Sequence, residues 1–403
     1  MKNIIYLISL ISLLLVGCDR EIETKEFPVI LTLNVIDNNT TGATFRGEAL
    51  KVGLTPTTSY GFIWNSEEPT MAKSYKVILG TDLEKGVFSC RISDSLCNGV
   101  DYYIKAFATY ESKTVISNTV VLHSQGSKNI PWSRVLTKFY LPGWQNPYGS
   151  SNNIYGHVLY QNAAAFTYDP EKNKFSASAK FPYSGNTGTN YTSVNLVNTQ
   201  YFFNNINSNL YKLSDDKWSV QTTIPFSYGT FEGYYHGYAV DGNILILSSY
   251  KSYIYFPKTN KWEERAALPE NFGNYSIGGT DLDGKAYMMT NTKNICEYDP
   301  ETDVWKLLTK YPDISNDKIC AFSYRNKLYF GLGLKPGTDY NWIDKNLWSY
   351  DLTTSKWKLA CILPVDVTFD SLFSFRIKDN FYFASNNSGE HFDLYKLDMS
   401  KLK

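Results

Sequence analysis

Five blocks of this chain set a tyrosine, a polar turn, a second aromatic ring and a proline at one fixed spacing. They are Tyr168-Asp169-Pro170-Glu171-Lys172-Asn173-Lys174-Phe175 ending at Pro182, Tyr211 to Trp218 ending at Pro225, Tyr255 to Trp262 ending at Pro269, Tyr298 to Trp305 ending at Pro312, and Tyr350 to Trp357 ending at Pro364. In all five the second ring precedes the proline by seven residues. A unit of this size cannot bury its own apolar face, so repeated copies must stack on one another. Each block reads as two strands joined by a tight turn. Tyrosine ends the first strand, residues such as Asp169-Pro170 or Thr259-Asn260 make the turn, and the second ring opens the next strand. Both rings can then fill the wedge between neighbouring sheets. Counted from Trp132, the steps between second rings are 43, 43, 44, 43 and 52 residues, and a last step of 45 reaches Leu402.

Composition agrees with sheet. The 403 residues include 9 Trp, 32 Tyr and 23 Phe, ring types enriched in strands. No amphipathic run of helical length follows the first 20 residues, which excludes an all-α bundle. Lys+Arg and Asp+Glu both total 39, so no basic excess argues for nucleic acid as a partner.

The Tyr/Trp/Pro register resembles that of kelch repeats, and the resemblance implies a β-propeller of four-stranded blades. Six strand triplets precede the tyrosine-type turns, the last ending at Tyr395-Lys396-Leu397-Asp398. The missing strand is available as Trp132 to Leu141, so six blades closed three plus one are expected. The paired glycines of the family are mostly absent: Phe203-Asn204-Asn205, Leu247-Ser248-Ser249, Met289-Thr290-Asn291 and Ala384-Ser385-Asn386 stand there, and only Gly331-Leu332-Gly333 comes close.

The amino terminus reads as a charged start at Lys2, an apolar run from Ile4 to Val16, and Leu15-Val16-Gly17-Cys18, which resembles a bacterial lipobox. That resemblance implies cleavage before Cys18, its lipidation, and attachment to a membrane. The expected location is the bacterial cell envelope, as an outer-membrane lipoprotein with surface exposure. Residues 1–17 are then signal peptide and 18–26 a charged tether. Cys18→Ser should release the protein from the membrane fraction and abolish lipid labelling, and unchanged membrane partition would count against the anchor. The other five cysteines, Cys90, Cys97, Cys296, Cys320 and Cys361, form no CxxC or Cys/His cluster, so no metal is expected. Cys90 and Cys97 could bridge a corner or serve as two small buried hydrophobes.

Residues 27–122 offer seven strand-like runs: Val29 to Ile36, Thr44 to Lys51, Tyr60 to Asn65, Tyr75 to Leu79, Val87 to Ile92, Asp101 to Thr109 and Thr114 to Leu122. Seven is the count of an immunoglobulin-like sandwich. Gly61-Phe62-Ile63-Trp64 and the stretch from Leu96 to Ala106 resemble a fibronectin type III domain, which implies a tyrosine corner from Leu96 and Tyr102. Residues 123–129 form a polar linker and 130–403 the propeller. The whole is expected to be all-β, an immunoglobulin/fibronectin III-like sandwich followed by a six-bladed kelch-like propeller. Removal of residues up to Lys128 is expected to leave the propeller folded.

Function on such a scaffold is expected at the loops between blades. Residues 334–346, which account for the 52-residue step, carry Asp339, Tyr340, Trp342 and Asp344. Neighbouring loops add Tyr228, Phe231, Tyr275 and Phe369. Aromatic rings beside carboxylates and amides suit the apolar face and hydroxyl edge of a sugar. Glu232 with His236 is the acid/base pair to test. Asp281 and Asp283 read as hairpin-turn residues. Arg325 and Arg376 are expected near hairpin turns on the opposite face, Arg134 and Arg265 in outer strands. Three readings stand: a propeller that binds a glycan without catalysis, a scaffold for an envelope protein partner, and a sugar-modifying enzyme of the sialic acid mutarotase type. None calls for a cofactor.

Overall fold

The computed structural model describes residues 27–141, 147–160, 164–182, 191–196, 199–204, 209–214, 217–225, 236–248, 251–273, 275–314, 319–335, 343–367, 372–388 and 391–402. The apolar leader, Cys18 and the charged tether lie outside these residues, and no helix among them is long and apolar enough to cross a membrane. The described chain is all-β and divides into two compact units.

One unit holds, among the described residues, Phe27–Asp37, Ala43–Arg91 and Tyr102–Leu122. It contains two antiparallel sheets, one ordered Val29–Asn39, Gly42–Lys51, Gly86–Ile92, the other Tyr75–Gly80, Ser59–Asn65, Asp101–Tyr110, Lys113–Ile116, with Val120–His123 also pairing to Asp101–Tyr110. Alternation sends Phe45, Phe62 and Trp64 inward, where Phe45 meets Phe62 at 5.9 Å and Trp64 at 5.4 Å, both edge-on. The expected run from Thr114 to Leu122 is two strands broken at residues 117–119, because Ser117 and Asn118 turn their polar groups onto Thr32. Cys90 and Cys97 form no bridge, and burial pushes the Cys97 thiol up to about 12.

The other unit holds Asn38–Gly42, Ile92–Asp101 and His123–Lys403. Among the described residues it contains six four-stranded antiparallel sheets. Sheet 1 is Tyr148–Ser151, Gly156–Leu159, Ala165–Asp169 and Lys174–Ala177; sheet 2 is Tyr191–Leu196, Thr199–Asn204, Asn209–Ser214 and Lys217–Thr223. Sheet 3 is His236–Val240, Asn243–Leu247, Ser252–Phe256 and Lys261–Arg265; sheet 4 is Ser276–Leu282, Lys285–Thr290, Asn294–Asp299 and Val304–Lys310. Sheet 5 is Cys320–Tyr324, Lys327–Gly331, Asn346–Asp351 and Lys356–Ile362; sheet 6 is Leu372–Ile377, Asn380–Ser388, His391–Asp398 and, from the other end of the unit, Trp132–Tyr140.

First strands pack against first strands. Those of sheets 1 to 5 neighbour one another in order, and that of sheet 6 returns to sheet 1. Sheets 5 and 6 join through stacked Phe322 and Phe381, 4.5 Å apart, and through Arg376 Nη1 donating to Ser323 O at 2.5 Å. The arrangement is propeller-like. Two glycines show how closely the inner strands approach: a Cβ at Gly149 would lie 2.3 Å from Ser374 O, and one at Gly278 2.5 Å from Ile319 O.

The repeat now has a local cause. Tyr168, Tyr255 and Tyr298 donate their hydroxyls to Asn173, Asn260 and Asp303, five residues on, at 2.7, 2.9 and 2.8 Å. Each acceptor sits in the left-handed region, with φ of 49°, 54° and 54°, where Asn and Asp are the tolerated non-glycine residues. Tyr298 then lies opposite Trp305 with ring centroids 4.9 Å apart, and the Trp305 Nε1 reaches Ala266 O after sheet 3 at 2.9 Å. Trp218 repeats this with Ala179 O at 3.0 Å. One block departs from expectation: Trp218 pairs with Leu213 and not Tyr211, because the turn between Ser214 and Lys217 is two residues shorter. Trp132 likewise pairs with Leu397, and both sites share a Tyr-Lys-Leu sequence.

Candidate functional site

Two places in the ring gather ionisable side chains. The first lies where the six first strands meet. Asp281 is a strand residue opposite Ala286, whereas Asp283 occupies the turn with φ 49°, so the expectation that both are turn residues holds only for Asp283. The Asp281 side chain stays open to solvent, but neighbouring atoms crowd it from most directions. This desolvation pushes its pKa up to about 6, against the pull of the Ala239 backbone and the Arg376 charge. Arg376 is a strand residue too, half-buried, with Nε donating to Lys378 O at 3.0 Å. Both stand at the hairpin end of their strands.

A carboxyl whose pKa rises on folding binds protons more tightly in the folded state. Its contribution is fully present below pH 4 and is lost as pH climbs through 6. Asp281→Asn should therefore leave the Tm unchanged near pH 4 and raise it slightly above pH 6, solvent screening of the exposed side chain keeping the gain small. Thermal scans across that range check it.

At the other end of sheet 3, His236 opens the first strand. Burial pushes its pKa down to about 4 despite a hydrogen bond to the Ser276 backbone, so it is neutral at pH 7, and its Nε2 has no hydrogen-bond partner among the described residues. Glu232, its expected partner, lies outside the described residues, as do Tyr228, Phe231, Asp339, Tyr340, Trp342 and Phe369. Tyr275 is described and 36% exposed beside the first strand of sheet 4.

The second place is built around Asp344. Leu334 and Ile343 pair in an isolated antiparallel bridge, closing the long excursion, and Asp344 sits at its base with N–H bonded to Gly333 O at 2.9 Å. Its carboxylate accepts from Asn346 N at 3.3 Å, and the residue is only 9% exposed. Across the seam with sheet 4, Asp313 follows the fourth repeat's proline. Its carboxylate accepts from Trp348 Nε1 at 2.6 Å, Asn346 Nδ2 at 2.9 Å and Ile314 N at 2.7 Å. The side chain of Asp344 hydrogen-bonds to it as well. Burial alone would raise the Asp313 pKa, yet these donors together hold it below the ordinary carboxylate value.

Asp313, with three N–H donors, is held in its ionised form. The Lys293 ammonium, donating to Asp313 O and Ile314 O at 3.0 Å each, pins the loop that presents Asp313. Of the expected residues, Asp344 is thus described beside Asp313, which the sequence reading passed over. The available signal was a carboxylate directly after the repeat's proline. Among the described residues no group of three or more His, Cys, Asp or Glu side chains is placed to hold a metal ion.

No protein family and no curated protein matches the chain. Among solved structures, the one titled "Structure of YjhT" aligns with a TM-score of 0.50 at 13% identity, covering 65% of this chain and 96% of its own. A structural genomics protein of unknown function from Bacteroides thetaiotaomicron aligns over 91% of this chain and 97% of its own, with a TM-score of 0.46 and 10% identity. The likeness to YjhT shows a shared fold of repeated antiparallel sheets.

Proposed function

We propose that this protein is an envelope lipoprotein, anchored through Cys18, whose six-bladed kelch-like propeller acts on a sugar by proton transfer. The fibronectin III-like domain at residues 27–122 serves as the spacer, 123–129 as the linker, and no cofactor is required. The observation that carries this reading is the Asp313/Asp344 carboxyl pair at the base of the excursion: a purely adhesive surface has no need of two neighbouring acids, whereas acid–base chemistry does, with Asp344 as the protonated member and Asp313 as the ionised one. Interconversion of sugar anomers fits the pair. Asp344 delivers its proton to the ring oxygen, Asp313 takes the proton of the anomeric hydroxyl, the C1–O bond of the ring breaks and C1=O forms. Reclosure on the other face runs the transfers in reverse. Tyr340 and Trp342, on the same excursion, supply rings for the sugar's apolar face.

Non-catalytic glycan binding is the second reading, favoured by the exposed ring of Tyr275, with Tyr228, Phe231 and Phe369 from neighbouring loops. The experiment is saturation-transfer NMR on a panel of reducing sugars, sialic acid included, with the soluble form beginning at residue 27. Anomer exchange faster than buffer supports the enzyme. Binding without faster exchange supports adhesion, and no response to any sugar moves the scaffold reading ahead.

A further inference from the structure

Most seams between neighbouring sheets are apolar, but the seam between sheets 1 and 2 carries a polar layer. Tyr148 and Leu159 of sheet 1 and Phe202 and Tyr211 of sheet 2 share one apolar cluster, so these residues face each other across the seam. Alternation puts Ser150 on the same face as Tyr148, and Gln200 on the same face as Phe202. Ser150 lies opposite His157, and Asn195 opposite Gln200, one step nearer the hairpin ends than the apolar layer. Asn195 shares this face because Val194 packs on the other side, toward sheet 3. Ser150, His157 and Gln200 are 7%, 7% and 1% exposed.

Among the described residues, the buried atoms Ser150 Oγ, Asn195 Oδ1, Gln200 Oε1 and Gln200 Nε2 have no hydrogen-bond partner. The level next to the hairpins between sheets 6 and 1 is filled by Val158, Phe375 and Tyr382. An apolar filling is therefore available to this architecture and is absent here. Buried polar atoms find partners in almost every folded protein, and internal water is the partner where protein groups are lacking.

We propose that the layer between sheets 1 and 2 is a hydration site, holding one or two ordered water molecules that join Ser150, Asn195 and Gln200. The mixture of atoms selects the occupant. A cation would satisfy the three oxygens and leave Gln200 Nε2 unmet, and an anion would do the reverse. Water donates to the two amide oxygens, accepts from the amide nitrogen, and does either with the serine hydroxyl. This seam is then held by water where its counterparts are held by packing.

A crystal structure of the wild-type protein should show water density within hydrogen-bond distance of both Gln200 and Ser150. Magnetic relaxation dispersion of water should show long-lived molecules, lost in the Ser150→Ala/Asn195→Leu/Gln200→Leu triple variant. Gln200→Leu alone should lower the Tm by about 3 °C or more, because Asn195 and Ser150 keep their need for water while its amide partner is gone. The triple variant should regain part of that loss. Absence of density beside Gln200 and Ser150, density of a species other than water, or a Tm raised by Gln200→Leu alone would each overturn the proposal. Should the triple variant fail to fold, the wild-type density and the single variant still decide.

Discussion

Removal of residues 1–141 should leave a chain that does not fold at room temperature, whereas removal of residues 1–128 should leave a folded ring that melts roughly 5–10 °C lower than the intact protein. The longer truncation takes away Trp132–Tyr140, the fourth strand of sheet 6, which pairs with His391–Asp398 along its length. It strips cover from Phe373, Phe392 and Leu394, now 2%, 3% and 0% exposed. It also removes Phe139, stacked 4.9 Å from Phe175 of sheet 1, and Val135 O, which accepts from Asn173 Nδ2 at 2.7 Å. Each large side chain so exposed forfeits about 1.5–3 kcal/mol. Several of them together reach the whole stability of an ordinary domain, about 5–15 kcal/mol.

The shorter truncation is not the neutral cut that the linker at 123–129 leads one to expect. Ile92–Asp101 belongs to the ring's unit. Asn98 pairs with Ser133, Arg134 N donates to Asn98 O at 2.8 Å, and Arg134 Nε donates to Gly99 O at 2.8 Å. Asp101 adds a second anion beside Asp393 for the Arg134 guanidinium, at 3.4 Å each. Loss of these bonds, at about 1 kcal/mol apiece, loosens the closing strand without removing it. Equal melting temperatures for the intact protein and the shorter truncation would show that this corner adds nothing, and a folded longer truncation would show that Trp132–Tyr140 is dispensable for closure.

Asp344→Asn should lower the rate of anomer interconversion about 10²–10⁴-fold while shifting the Tm by no more than a few degrees. An asparagine still accepts from Asn346 N through its Oδ1 and still donates to Asp313, so the hydrogen bonds survive and only the transferable proton is lost. Asp313→Asn should cost activity and also stability, since one amide oxygen cannot replace a carboxylate that accepts from Trp348, Asn346 and Ile314. The contrast between the two variants separates chemistry from architecture. If Asp344→Asn turns over every sugar at the wild-type rate, the pair is a structural clamp and the enzymatic reading falls.

What could be read directly from the chain was whatever is local. The Tyr298-to-Asp303 hydrogen bond, the left-handed turn and the Tyr298/Trp305 contact all lie within eight residues, so their spacing survives in every copy and announces stacked sheets. The same locality explains a failure. Tyr211 sits at the repeat spacing, but a turn two residues shorter hands its partner to Leu213, and a spacing rule cannot see a turn's register.

Long-range pairing was beyond such reading in its detail. Trp132–Tyr140 meets a strand some 259 residues away, and the count of strands foretold that meeting but not the grip of Ile92–Asp101 on it. Asp281 and Arg376 looked like neighbours of turns, and only the tertiary structure brings the charge of one to bear on the other. Asp344 was legible because it lies in an excursion longer than the repeat requires. Its partner Asp313 was not, because an aspartate after a proline has the composition of any turn. The two acids become neighbours only once two sheets meet, and that contact is a property of tertiary structure alone.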